Sequence, residues 1–230
     1  MNISTGMILA AGLGKRLRPY TLNLPKPLIK IGKKTLIENI INKLERTGFK
    51  KVVINLYYLK KKVKKELNKQ YKINIFLSEE KKLLNTGGGI KNALQIIGQN
   101  QFFVINSDIT WSNGKNNPFK KLNKFWNKNK MDALLLLYPV KKEQSKKHGD
   151  FSLDKYGRLL KKKNELKYVF TGIQILKSNL FSNIKKNSFP LSLIYNKLIS
   201  KKRIYGLVYE GKWSHLGTLE SLKKYQKMIK

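Results

Sequence analysis

The chain has 230 residues, 41% hydrophobic and 27% charged, and no cysteine, so disulfides, thiolate metal sites and cysteine nucleophiles are excluded. Its formal net charge of +36 comes from 44 lysines and 5 arginines spread along the whole length. That pattern reads as a drift toward Lys, Asn and Ile, of the kind an AT-rich genome produces, more than as a nucleic-acid surface, because arginine, the usual reader of bases and phosphate forks, is scarce.

In chain order, Met7–Ala11 is a short apolar run ending in glycines, and it predicts a buried parallel strand entering a loop. No cationic region precedes it, so it does not read as a signal peptide. Thr35–Thr47 places Leu36, Ile37, Ile40, Ile41 and Leu44 at helical spacing, with Gly48 as a stop. Strands are predicted at Val52–Leu56, Ile73–Leu77 and Gln101–Ile105, with helices at Lys60–Gln70 and Gly89–Ile97 between them. The alternation indicates βαβ units and a parallel sheet. Beyond it come a helix at Pro118–Asn129, a strand at Ala133–Val140, a hairpin of Phe151–Leu153 and Arg158–Leu160, a strand at Val169–Leu176, and helices at Pro190–Ser200 and Leu219–Ile229. The clearest apolar run, Ala133–Tyr138, is far below the roughly 18 residues a membrane span needs. A cytoplasmic, membrane-free protein is expected. No linker rich in Pro, Gly or Ser interrupts the chain, so one domain over 1–230 is expected.

The strongest chemical signal is Leu9-Ala-Ala-Gly-Leu-Gly-Lys-Arg-Leu-Arg-Pro, continuing to Leu24-Pro-Lys-Pro-Leu28. A glycine loop after a strand can turn its N–H groups toward a phosphate. Lys15 and Arg16 add cations there, and Lys26 adds another between two stiffening prolines. Two unit charges 4 Å apart gain about 4 kcal/mol at an effective dielectric near 20, so three cations can supply much of the binding of a triphosphate. The structural alternative is a plain strand-to-helix turn, since this is neither the dinucleotide fingerprint nor the Walker loop. Asp108 follows an apolar strand, where ligands bind open α/β sheets, although an aspartate there also serves as a cap or turn residue. Lysine runs such as Lys60–Lys65 and Lys161–Lys163 read as solvated faces.

Gly12-x-Gly14-x-Arg16 with Pro25-Lys26-Pro27 resembles the signature of the sugar-1-phosphate nucleotidylyltransferases, and the resemblance runs nearly end to end. Asn85-Thr-Gly-Gly-Gly-Ile90 resembles the family's second glycine segment, Asn106-Ser-Asp108 its metal motif, Phe170-Thr-Gly-Ile173 its sugar-site strand, and Trp213-Ser-His-Leu-Gly-Thr218 its closing element. The Thr-Gly-Gly-Gly-Ile segment, Gly149-Asp-Phe151 and the short chain are most similar to the N-acetylmuramate alpha-1-phosphate uridylyltransferase branch.

The resemblance implies a single GT-A-like, Rossmann-like α/β domain with a mostly parallel mixed sheet sandwiched by helices, 1–110 forming a nucleotide-binding half and 111–230 a sugar-binding half. It implies that UTP and N-acetylmuramate 1-phosphate are joined with release of pyrophosphate. Guanylyl, thymidylyl or cytidylyl transfer to another acceptor, or a lapsed nucleotide-sugar binder, are the alternatives. Arg16, Lys26 and Asp108 would be catalytic; Ala10, Ala11, Gly12, Gly14, Lys15, Arg16, Gly88 and Asn106 would bind nucleotide; Gly149, Asp150, Thr171 and Gly172, with His148 beside them, would face the sugar. Asp108 would hold Mg²⁺. His215 stands where the family carries a second metal-binding aspartate; as an imidazole it would suit Mn²⁺ better, and its role as a ligand is open. The Glu-Lys-Pro element of other members is not recognisable before Phe170.

Overall fold

The computed structural model describes residues 2–112, 117–140, 149–161 and 166–229. Strand β1 (Thr5–Leu9) is central in the sheet and covered on both faces, and Met7 and Ile8 are fully buried. After the glycine loop a small hairpin, β2 (Lys30–Ile31) and β3 (Lys34–Thr35), leads into α1 (Leu36–Thr47). The Thr35 hydroxyl accepts the Glu38 N–H at 3.2 Å, and Gly48 ends the helix at φ 90°, a conformation glycine adopts without steric cost. The apolar stripe expected for this helix is the one it buries.

Then come β4 (Lys51–Leu56), α2 (Lys60–Leu67), β5 (Asn74–Glu79), α3 (Asn85–Ile97) and β6 (Gln101–Asn106). The rest of the chain supplies β7 (Ile109–Trp111), α4 (Pro118–Phe125), β8 (Ala133–Pro139), the hairpin β9 (Ser152–Leu153) and β10 (Leu159–Leu160), and β11 (Tyr168–Lys177). It closes with α5 (Ser192–Ser200), β12 (Ile204–Val208), β13 (Trp213–His215) and α6 (Leu219–Met228).

Seven strands form one sheet in the order β12-β8-β11-β6-β1-β4-β5. β5, β4, β1 and β6 pair in parallel, β11 opposes both β6 and β8, and β12 is parallel to β8. The fold is therefore one α/β domain with a mostly parallel mixed sheet, as expected. Helices α1, α2 and α4 pack one face and α3 and α5 the other. The first connection leaves β1 toward β4 and a later one returns to its other side at β6. This reversal opens a crevice beyond the carboxyl ends of β1 and β6. A separate two-stranded ribbon pairs β13 with β7, setting His215 opposite Ile109 and bringing the end of the chain over that crevice.

Several boundaries differ from the sequence expectation. Ala10 and Ala11 lie past the end of β1, in the loop. α2 stops at Leu67 and α4 at Phe125, and Trp126 turns extended while its indole donates to Gln101 Oε1 at 2.6 Å. The predicted helix at Gly89 begins four residues earlier, at Asn85. Three glycines read as a loop by propensity, yet here they form the first turn because other backbone packs against it. The N–H groups of Gly87 and Gly88 donate to the Phe189 carbonyl at 2.9 and 3.1 Å. β2, β3, β7, β12 and β13 carried no recognised sequence signal. Among the described residues no helix is long and apolar enough to cross a membrane.

Candidate active site

Two adjoining cavities lie at the crevice. The first, about 310 Å³, is lined by Ala11 and Gly12 of the loop, by Asn55, Glu80 and Thr86, and by Asn106 to Asp108. The second, about 350 Å³, is lined by Gly14, Lys15, Arg16 and, from the far end of the chain, Gly217. Lys26 and Leu83 line both.

Lys26 sits in a short 3₁₀ turn after Pro25, whose φ of −65° directs the chain across the crevice. Its Nζ lies 2.7 Å from Asp108 Oδ2. His215 Nε2 lies 3.2 Å from the same oxygen. The Asp108 carbonyl accepts the Leu216 N–H at 2.7 Å, so the closing segment is pinned directly to the carboxylate's own residue. Burial opposes the charged form of this carboxyl, but the Lys26 ammonium and the His215 hydrogen bond outweigh it, and Asp108 is held well below the usual carboxylate range. It is an ionised carboxylate in the wall of the first cavity, paired with the lysine that lines both.

Can these residues hold a divalent ion? Both protein contacts use Oδ2, which leaves Oδ1 as a donor, with the His215 imidazole beside it. Among the described residues no group of three or more His, Cys, Asp or Glu converges anywhere. One carboxylate oxygen and one imidazole nitrogen fit a divalent ion that takes one or two protein ligands and completes its shell from phosphate oxygens and water.

Asn55 and Glu80 were not singled out by the sequence. The Asn55 side chain accepts the Ala10 N–H at 2.9 Å and donates to Glu80 Oε1 at 2.7 Å, while Glu80 Oε2 accepts the Leu84 N–H at 3.1 Å. This chain of bonds ties the glycine loop to the start of α3. Burial pushes the Glu80 carboxyl up, against the Asn55 and Leu84 hydrogen bonds that favour its ionised form. The available signal was positional, since each polar residue closes an apolar strand at the end of the sheet where ligands bind.

The other expected residues divide by environment. Arg16 and Lys15 are exposed at the rim of the second cavity, and Gly14 opens their turn at φ 65°. Ala10 spends its N–H on Asn55. Gly88 is buried, its N–H is spent on Phe189, and a Cβ there would collide with the Asn187 carbonyl. Gly172, at φ 86° where β11 changes register, lies against Asn106; a Cβ on it would come within 2.9 Å of Asn106 Nδ2. Thr171 is fully buried, its hydroxyl donating to the Leu136 carbonyl at 2.8 Å and its own carbonyl accepting the Trp213 indole N–H at 2.9 Å. Asp150 Oδ2 accepts the Phe170 N–H at 2.8 Å, and Gly149 packs against Leu166. His148 lies outside the described residues.

A mostly parallel sheet, a glycine loop at its switch point and a lysine–aspartate pair whose lysine lines both cavities make up a site suited to handling nucleotides. Residues 5–230 match the Nucleotidyl transferase family, and the chain belongs to it. It is 31% identical over 219 residues to the N-acetylmuramate alpha-1-phosphate uridylyltransferase of Caulobacter vibrioides, covering 92% of this chain and 90% of that protein. It is also 31% identical over 230 residues to the mannose-1-phosphate guanyltransferase of Yarrowia lipolytica, where the match covers 92% of this chain but 60% of that protein. The crystal structure of HddC from Yersinia pseudotuberculosis complexed with GMP-PN shares the fold with a TM-score of 0.81 at 21% identity, covering 99% of this chain and all of that one. The chain is accordingly an enzyme of the sugar-1-phosphate nucleotidylyltransferase class.

Proposed function

We propose that the chain transfers a uridylyl group from UTP to N-acetylmuramate 1-phosphate and releases pyrophosphate, as a cytoplasmic enzyme of cell-wall sugar metabolism. The observation that carries the reading is Lys26, which stands in both cavities and 2.7 Å from Asp108. A phosphate oxygen of the sugar attacks the α-phosphorus, the bond from that phosphorus to the bridging oxygen breaks, and pyrophosphate leaves with the electron pair. The nucleophile is already an anion, so the protein needs to align it and to neutralise charge. Arg16 steadies the β- and γ-phosphates. Lys26 holds the α-phosphate and the incoming sugar phosphate. Ala10, Ala11, Gly12, Gly14, Lys15, Gly88 and Asn106 shape the nucleotide half, 1–110, and Gly149, Asp150, Thr171 and Gly172 the sugar half, 111–230. When bound, Mg²⁺ or Mn²⁺ on Asp108, with His215 as second donor, would supply Lewis-acid stabilisation of phosphate charge.

Uracil is favoured because the uridylyltransferase relative matches this chain along nearly its whole length. A guanine reading is supported by the similarity to a mannose-1-phosphate guanyltransferase and is compatible with Glu80. The Glu80 carboxylate lines the first cavity and retains acceptor capacity, which fits the paired donors of guanine N1–H and N2–H₂ as well as uracil N3–H. A pyrophosphate-release assay across nucleoside triphosphates and sugar 1-phosphates decides between them. The expected maximum is UTP with N-acetylmuramate 1-phosphate, lowered about 10²–10³-fold in Asp108→Asn. A maximum with GTP and a mannose-type sugar would overturn the uridylyl reading.

A further inference from the structure

Outside the crevice, between α5 and the loop that precedes it, lies another cavity of about 380 Å³. Its apolar lining comes from Leu180, Ile184, Phe189 and Ile194, and its rim carries Lys186, Lys197 and Lys201, all exposed. Among the described lining residues the acid is Asp132, and it is already paired with Lys177 at 2.7 Å and Arg203 at 3.0 Å. The cavity is thus a slot with an apolar wall, polar residues that include Asn179 and Asn183, and uncompensated positive charge at its mouth, of a size that suits a small ligand.

One wall of this slot is bonded to a wall of the nucleotide crevice. Phe189 lines the slot, its carbonyl accepts the Gly87 and Gly88 N–H groups, and its own N–H donates to the Leu84 carbonyl at 3.1 Å. The Leu191 N–H donates to Thr86 Oγ1 at 2.9 Å, and Asn85 Nδ2 donates to Ser188 Oγ at 3.1 Å. Asn85 and Thr86 in turn line the first cavity. A Cβ on Gly87 would collide with the Phe189 ring, so the ring packs directly on the first turn of α3.

We propose that this slot binds an amphipathic anion, a short alkyl or aryl chain ending in a phosphate or carboxylate, and that its occupancy changes nucleotide affinity in the crevice. The chain fills the apolar lining and the head group meets the lysines as point charges. Coupling follows if the bound ligand favours one position of Phe189 over another, because the glycine turn is packed and hydrogen-bonded against it.

The test titrates octyl phosphate, octanol and octyltrimethylammonium into the full chain by calorimetry. Octyl phosphate should bind one per chain, at least about tenfold tighter than octanol, with the cation not binding. The Lys186→Ser/Lys197→Ser/Lys201→Ser variant, and separately Leu193→Glu at the mouth, should weaken it about tenfold or more. Lys26→Ala should leave it within about twofold, which separates this site from the phosphate cavity. Saturating octyl phosphate should change KM for the triphosphate at least about threefold in wild type and not in the lysine variant. Binding no tighter than octanol, or indifferent to the lysines, overturns the site. An unchanged KM overturns the coupling, which is the one arm that rests on the nucleotide reading of the crevice.

Discussion

Lys26 Nζ lies 2.7 Å from Asp108 Oδ2, and the two side chains are 17% and 7% exposed. A pair so placed keeps the carboxylate charged and holds the ammonium in the wall shared by the two cavities. Lys26→Ala and Asp108→Asn should each lower kcat by about 10²–10³, the usual cost of removing one preorganised charge partner. The double variant should lose less than the product of the two, since each single change already breaks the shared contact. Pyrophosphate release measured on all three checks this, and strict additivity would show that the two groups act separately.

Gly217 is required by His215. A Cβ at that position would lie 2.5 Å from His215 Nε2 and 3.0 Å from Asp108 Oδ2. Gly217→Ala should therefore push the imidazole off the carboxylate and lower kcat/KM by about tenfold, while His215→Ala/Gly217→Ala should be no worse than His215→Ala alone. In His215→Asp the preference for Mn²⁺ over Mg²⁺ should fall, because a carboxylate is the harder ligand. The same metal preference and rate before and after would remove His215 from the ligand set.

How much of this was legible in the sequence depends on how far each contact reaches. Helix α1 was legible at both ends, because its cap, stripe and terminal glycine act within a few residues of one another. Asp108 was legible because it follows an apolar strand in a chain poor in acids. Asn55 and Glu80 were not, since their partners lie 45 and 25 residues away and meet only when β1, β4 and β5 align. The packing of the triple glycine was not legible. Its close neighbours are Asn187 and Phe189, about a hundred residues on, together with Asn55 and Glu80. The three-residue strands β7 and β13 have no period to read, and they form through a pairing more than a hundred residues apart.

Two glycines differ in what a side chain there would meet. A Cβ on Gly12 would meet nothing within 4 Å, whereas one on Gly88 would meet the Asn187 backbone. Gly12→Ala should leave stability within about 0.5 kcal/mol and raise KM for the triphosphate, because it narrows the cavity proposed for the nucleotide. Gly88→Ala should cost about 2–4 kcal/mol, because a backbone carbonyl must give way. Urea unfolding beside steady-state kinetics reads both; a Gly12→Ala protein with an unchanged KM would place the nucleotide elsewhere.

Asp132 joins three strands at the end of the sheet remote from the crevice. It binds Arg203 Nε and Nη2 at 3.0 Å each, just before β12, and Lys177 Nζ at 2.7 Å, at the end of β11. The hydrogen bonds from Arg203, with those from Lys177, outweigh burial and hold its carboxyl below the ordinary range. A carboxyl whose pKa is lower folded than unfolded stabilises the fold above its unfolded value, about 3.9, and that contribution is lost as pH falls through the folded value. Asp132→Asn should cost about 2 kcal/mol at pH 7, or about 4–8 °C in Tm for a domain of this size. The gap should narrow as pH falls below the ordinary aspartate range, where the wild-type carboxyl is itself protonated. Lys177→Met should cost less, since both Arg203 bonds survive. A gap that stays constant down to the acid limit would show that asparagine disturbs packing here and that the charge contributes nothing.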